Sequence, residues 1–204
     1  MNGDELDERL YKYPGTDVLR NKLGIRDAEA LDYTERMHVR RQIVKGCPSG
    51  QFDLTYLQAI HRHLFQYIYE WAGEIRQVPL RKGDSQFFPP NRIGLAMQDV
   101  HNRLVKQNYL RSLDRAAFAK EAGTIIGDIN LVHPFREGNG RTQLQYLQQL
   151  GVRAGHIIHL SEIDLKQWIE ASKRANRATP DYDLIRECIT NSIQSMTRDR
   201  GRIR

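Results

Sequence analysis

His133 to Arg141 read HPFREGNGR, and this run decides how the rest of the chain is understood. A helix interior does not carry a proline and two glycines so close together, and a plain surface loop has no need of His, Glu, Asn and Arg side by side. Pro134 fixes its own φ and turns the preceding residue away from helix. The helical pattern that reaches Leu131 and Val132 therefore ends at His133. Phe135 is the apolar anchor that pins the loop to the core and holds its polar neighbours in place, as catalytic geometry requires. Gly138 and Gly140 admit backbone conformations closed to other residues. A new helix begins there, and the free amides at its N-terminus make an anion site. Asn139 adds a side-chain amide, and Arg141 adds a fork of donors suited to phosphate. Glu137 beside such a cradle repels phosphate unless a bridging Mg²⁺ takes oxygen from both. His133 titrates near neutrality and can accept a proton. The sum is a site for a Mg-bound polyphosphate with a base beside it, hence phosphoryl or nucleotidyl transfer to an incoming hydroxyl. The bland alternative is a loop with a capped helix and a surface ion pair. The uninterrupted run of distinct chemical groups favours the former.

Outward from the run, the periodicity is helical. A long pattern begins at Asp27, with Ala30, Leu31, Tyr33, Met37 and Ile43 as a loose apolar face up to Lys45. Gly46, Pro48, Ser49 and Gly50 break it. A second helix starts at Asp53, where Leu54, Leu57, Ile60, Leu64, Phe65 and Ile68 repeat at helical spacing. Further helices are predicted at Asn91 to Gln107, Asp114 to Leu131, Gly140 to about Ala154, Ser161 to Ala175, and Tyr182 to about Met196. Ile125, Ile126, Ile129 and Val132 mark the helix before the motif as central. Between Glu74 and Phe88 the period changes. Ile75, Val78 and Leu80 precede a turn at Lys82-Gly83-Asp84, followed by Phe87 and Phe88, which reads as the one β-hairpin. The fold class is all-α with a single hairpin standing out from it. The first ten residues read as a loose N-terminus, 11–196 as the domain, and 197–204 as a frayed basic tail.

The chain has 204 residues and a net charge of +6, spread without a polybasic block. That balance suits nucleotides or acidic partners, but no helix carries a basic stripe with interleaved aromatics, so direct nucleic-acid binding is not expected. The two cysteines, Cys47 and Cys188, form no motif and read as reduced thiols of a cytosolic protein. No apolar run approaches the ~20 residues that span a bilayer, and the acidic start is no signal peptide. The expected location is the bacterial cytoplasm, with export by a separate system left open. His61 and His63 are two apart on a helix and face different directions, so they make a poor metal site. Trp71 and Trp168 read as core.

At these residues the sequence resembles the Fic family, whose signature is His-Pro-Phe-x-Asp/Glu-Gly-Asn-Gly-Arg-x-x-Arg. Tyr13 to Thr16, Asn21 to Ile25, and Tyr69 to Arg76 (YEWAGEIR) are similar to further Fic segments, so the likeness runs from about Tyr11 to Ser192. It implies the Fic helical bundle with a β-hairpin flap, and transfer of AMP from ATP to a target side-chain hydroxyl. By resemblance, His133 is the base and Glu137 holds Mg²⁺, while Gly138, Asn139, Gly140 and Arg141 hold the phosphates. Asn176 lies near the adenine. The flap, with Lys82, Gly83 and Phe87, docks the target protein by strand addition.

One position departs, because the signature's last Arg falls on Leu144. In the family that Arg binds the terminal phosphate and pairs with an inhibitory Glu, and Leu can do neither. No Glu has Ser or Thr four residues earlier, so the family's inhibitory helix is missing from this chain. The resemblance then points to a stand-alone toxin-like branch, held inactive by a small helical antitoxin in trans and acting on bacterial type II topoisomerase subunits. The alternatives are a transferase on the same scaffold using another donor, and a catalytically weak Fic-like binding module.

Overall fold

Aspartates start four of the helices. Asp27, Asp53, Asp114 and Asp164 accept the backbone N–H of Ala30, Tyr56, Ala117 and Gln167 at 2.7–2.8 Å, which satisfies an amide that has no partner inside its own helix. The computed structural model describes residues 3–82 and 85–194. In chain order the helices are α1 (Gly3–Tyr11), α2 (Ala28–Val44), α3 (Leu54–Phe65), α4 (Ile93–Lys106), α5 (Arg115–Val132), α6 (Asn139–Ala154), α7 (Leu165–Ala175) and α8 (Asp183–Ser192). Two short strands, β1 (Arg81–Lys82) and β2 (Ser85–Gln86), pair antiparallel with Arg81 opposite Gln86. The hairpin is thus much shorter than the 74–88 span expected. The basic tail lies outside the described residues.

The central helix is α5, which packs against α4, α6, α7 and α8. Ile125, Ile126, Ile129 and Val132 are buried, as the pattern indicated. Gly123 and Gly127 let α8 approach closely, since a Cβ at Gly127 would lie 2.5 Å from the Tyr182 ring. α3 buries Leu57, Ile60, Leu64 and Phe65 against α6 and α2.

Two expectations are corrected. The buried stripe of α2 is Leu31, Glu35, Val39 and Gln42, while Tyr33 and Met37 are exposed. Hydropathy points the wrong way there because the stripe contains an acid whose charge is matched from another helix. The first ten residues are not loose over 3–10. They form most of α1, and Asp7 takes both arms of the Arg136 guanidinium, at 2.5 and 2.8 Å. The Tyr11 ring meets Trp71 edge-on at 5.7 Å, and its hydroxyl accepts the Gln77 N–H. Among the described residues no helix is long and apolar enough to cross a membrane.

Candidate active site

α5 ends on His133, which takes the left-handed conformation with φ 50° and ψ 63°. A non-glycine residue there is strained unless its surroundings hold it. Several contacts do. The His133 carbonyl accepts a hydrogen bond from Arg76 Nε at 2.7 Å, and the Phe87 ring stacks on the imidazole with centroids 3.7 Å apart. His133 Nδ1 faces the Asn130 carbonyl at 3.3 Å. If Nδ1 carries the proton, Nε2 is the basic nitrogen.

Arg76 was not foreseen as a site residue. It is 1% exposed and donates to the carbonyls of Val78, Phe88, Val132 and His133. Its backbone N–H donates to Pro134. One side chain therefore joins the end of α5 to the segments that flank the hairpin on either side. Burial lowers its pKa to about 10, which leaves it cationic, and its charge complements the carbonyl end of α5.

The loop itself is braced from inside. Asn139 is buried, and its side chain accepts from Phe135 N–H at 3.0 Å and donates to the Phe135 carbonyl at 2.8 Å. The Phe135 backbone thus engages the oxygen and one of the two N–H groups of this amide. His61, fully buried on α3, accepts the Gly73 N–H through Nδ1 and donates from Nε2 to the Glu137 carbonyl at 3.0 Å. Its ring stacks on Phe135 at 4.0 Å. Burial holds its pKa down to about 3, so it is a neutral strut and not a second base.

Of the two loop glycines, only Gly138 has the backbone that favours glycine, with φ +80°. Gly140 lies in ordinary helix with open space where a Cβ would be, so its expected conformational role is corrected. Its place is at the wall of a hollow of about 140 Å³, shared with Phe87, Asn130, His133, Trp168, Ser172, Lys173 and Asn176. Asn176 Oδ1 is buried in that wall without a hydrogen-bond partner. Trp168 is core, as expected, but also lines the hollow.

No side chain caps α6. Gly138 N–H is taken by Glu137 Oε1 at 2.8 Å, and the next amides of the first turn have no partner within the helix. Glu137 Oε1 also lies 3.3 Å from Arg141, while its side chain is about half exposed. The repulsion that suggested a cation is thus already eased by Arg141. Arg141 points into a different recess from His133, one lined by Glu35, Tyr69 and Glu137. Leu144 is half-buried and packs against the core. Phe87 is a buried wall of the hollow, not an exposed docking residue. Of Lys82 only the backbone is described, and Gly83 lies outside the described residues.

The Fic/DOC family model matches residues 51–150. "Probable protein adenylyltransferase y4lH" of Sinorhizobium fredii is 38% identical over 164 residues, which cover 80% of this chain and 85% of that one. Protein adenylyltransferase VbhT of Bartonella schoenbuchensis is 33% identical over 193 residues, covering 93% of this chain but 40% of that longer protein. Among solved structures, BepC of Bartonella tribocorum with bound AMPPNP aligns with a TM-score of 0.83 at 27% identity, covering 90% of this chain and 96% of that one.

Proposed function

The chain belongs to the Fic/DOC family and is a protein adenylyltransferase, and we propose that it moves AMP from ATP onto a side-chain hydroxyl of another protein. The observation that carries this reading is the uncapped start of α6 in the same braced loop as His133. The α6 amides and Arg141 hold the phosphates. His133 Nε2 accepts the proton of the incoming hydroxyl. The oxygen bonds to the α-phosphorus, the bond to the β-phosphate oxygen breaks, and pyrophosphate leaves. Asn176 Oδ1 suits the exocyclic amine of adenine, which would satisfy a buried acceptor.

Glu137 fits a share in Mg²⁺ binding. Its Oε2 carries no hydrogen bond among the described residues, and they hold no cluster of three His, Cys, Asp or Glu for a metal. A single open carboxylate beside a phosphate site is the usual protein share of Mg²⁺ binding. The ion would arrive with its nucleotide and offset phosphate charge. The target segment adds to the edge of the hairpin, next to Phe87 and His133.

The reading extends to control by a small helical antitoxin in trans, to a bacterial type II topoisomerase subunit as the target and to the cytoplasm as the place of action; the printed sequence itself carries no Ser/Thr-x-x-x-Glu. Incubation of the protein and purified topoisomerase subunits with α- or γ-labelled ATP tests this reading. Label from the α-phosphate alone is expected on the target. Label from γ alone would mean phosphate transfer. Label from neither favours a different donor, the second reading that Leu144 supports because it is packed into the core where the signature has an arginine.

A further inference from the structure

Arg141 is held from outside its own loop. Its Nη1 lies 2.6 Å from Oε1 of Glu35 on α2, and its guanidinium lies over the Phe65 ring, 4.9 Å from the centroid. Glu35 is only 5% exposed, in a helix stripe where an apolar residue would otherwise stand. Its second oxygen, Oε2, takes a short hydrogen bond from the Tyr69 hydroxyl. Tyr69 is itself fixed by stacking on Trp71 at 4.3 Å. Burial and the Glu35 charge push the Tyr69 phenol well above its ordinary range, so it remains the donor.

We propose that Glu35, clamped by Tyr69, is a positioning residue for the nucleotide polyphosphate: it fixes the Arg141 guanidinium at the open start of α6 and leaves the outer donors of the fork to the β- and γ-phosphates. The proposal rests on the adenylyltransferase reading above. A guanidinium has five N–H donors in a rigid fork. Glu35 takes one N–H of Nη1 at 2.6 Å and Glu137 one of Nη2 at 3.3 Å, which leaves three, and the Arg141 side chain is still 30% exposed. Phosphate does not displace Glu35, because stripping a buried carboxylate of its partner leaves an uncompensated charge. Without Glu35 the nearest acid to Arg141 is Glu137, already 3.3 Å away. The two would close on each other, and the cation would be turned from the phosphates.

Calorimetry with ATP, ADP and AMP in the presence of Mg²⁺ tests this on the whole protein, with thermal melts to confirm folding. Wild type should bind ATP and ADP more tightly than AMP. Glu35→Gln should weaken ATP and ADP binding about tenfold, the scale of one charge-assisted hydrogen bond, and leave AMP unchanged. Tyr69→Phe, which keeps the ring and its stacking, should shift the same ratio in the same direction by about threefold, and it decides the matter if Glu35→Gln does not fold. An unchanged ATP-to-AMP ratio overturns the proposal. So does an equal loss for all three nucleotides, which a merely structural role would give, or a tighter ATP complex, which would make Glu35 a competitor of phosphate. A wild-type protein that binds ATP no better than AMP overturns the adenylyltransferase reading and this proposal together.

Discussion

Arg76 Nε lies 2.7 Å from the carbonyl oxygen of His133, so a buried cation holds the backbone of the residue placed as the base, while the Phe87 ring packs on its imidazole. The same guanidinium reaches Val78 and Phe88, which flank the hairpin before and after its strands.

Arg76→Ala should leave four carbonyls without their donor. Orphaned buried groups cost about 1–3 kcal/mol each, less where water enters. A total loss of at least ~3 kcal/mol is expected in urea unfolding. Arg76→Lys keeps the charge but not the fork, and should lose about half as much. A change below ~1 kcal/mol for the alanine variant would show that the loop holds itself.

His133→Ala should lower AMP transfer by ~100-fold or more, the usual contribution of a positioned base. Affinity for MgATP should not change, because the phosphates rest on α6 and Arg141. Label transfer and calorimetry on the same preparation check both halves. A variant that kept a tenth of the rate would remove His133 from the role.

Leu144→Arg should raise ATP affinity about tenfold through a new charge-assisted hydrogen bond worth roughly 1.5–3 kcal/mol. Since Leu144 is half-buried, the arginine stem can lie along the apolar surface and send its head outward, at a stability loss of ~1 kcal/mol. A folded variant with unchanged ATP affinity would mean that position 144 faces no phosphate.

His61 makes stability depend on pH. Its folded pKa is about 3 against an ordinary 6.5. Between those values the unfolded chain binds a proton that the folded chain refuses. The His61 contribution is thus fully present above pH 6.5 and is lost as pH falls, by up to ~1.4 kcal/mol per pH unit. By pH 5 about 2 kcal/mol should be gone relative to pH 7. His61→Asn should lack that part of the slope when both proteins are unfolded in urea at pH 7, 6 and 5.

The helical fold and the loop were legible because both are written locally. Capping aspartates, a proline after His133 and the buried isoleucines of α5 each signal through their near neighbours. What the sequence hid are the partners that meet across the fold. Glu35 and Arg141 are joined only when α2 and α6 both pack against α3. His61 looked like half of a poor metal pair and proved to be a strut under Glu137. The sequence marked Asn139 by its residue type alone, and its bracing of Phe135 shows only in the fold. The α1 helix, acidic and polar, gave no hydrophobic signal for its grip on Arg136.

Gly138 also sets a limit on how this loop can change over evolutionary time. A Cβ there would sit 2.3 Å from Cζ of Phe65, and φ is +80°. Shrinking Phe65 could make room, but it would strip the ring from beneath Arg141, and the left-handed backbone would still penalise any side chain. No single substitution relieves both obstacles, so drift at position 138 is blocked by two independent barriers, while at Gly140 no protein atom stands where a Cβ would go and any limit comes from what fills the hollow it lines.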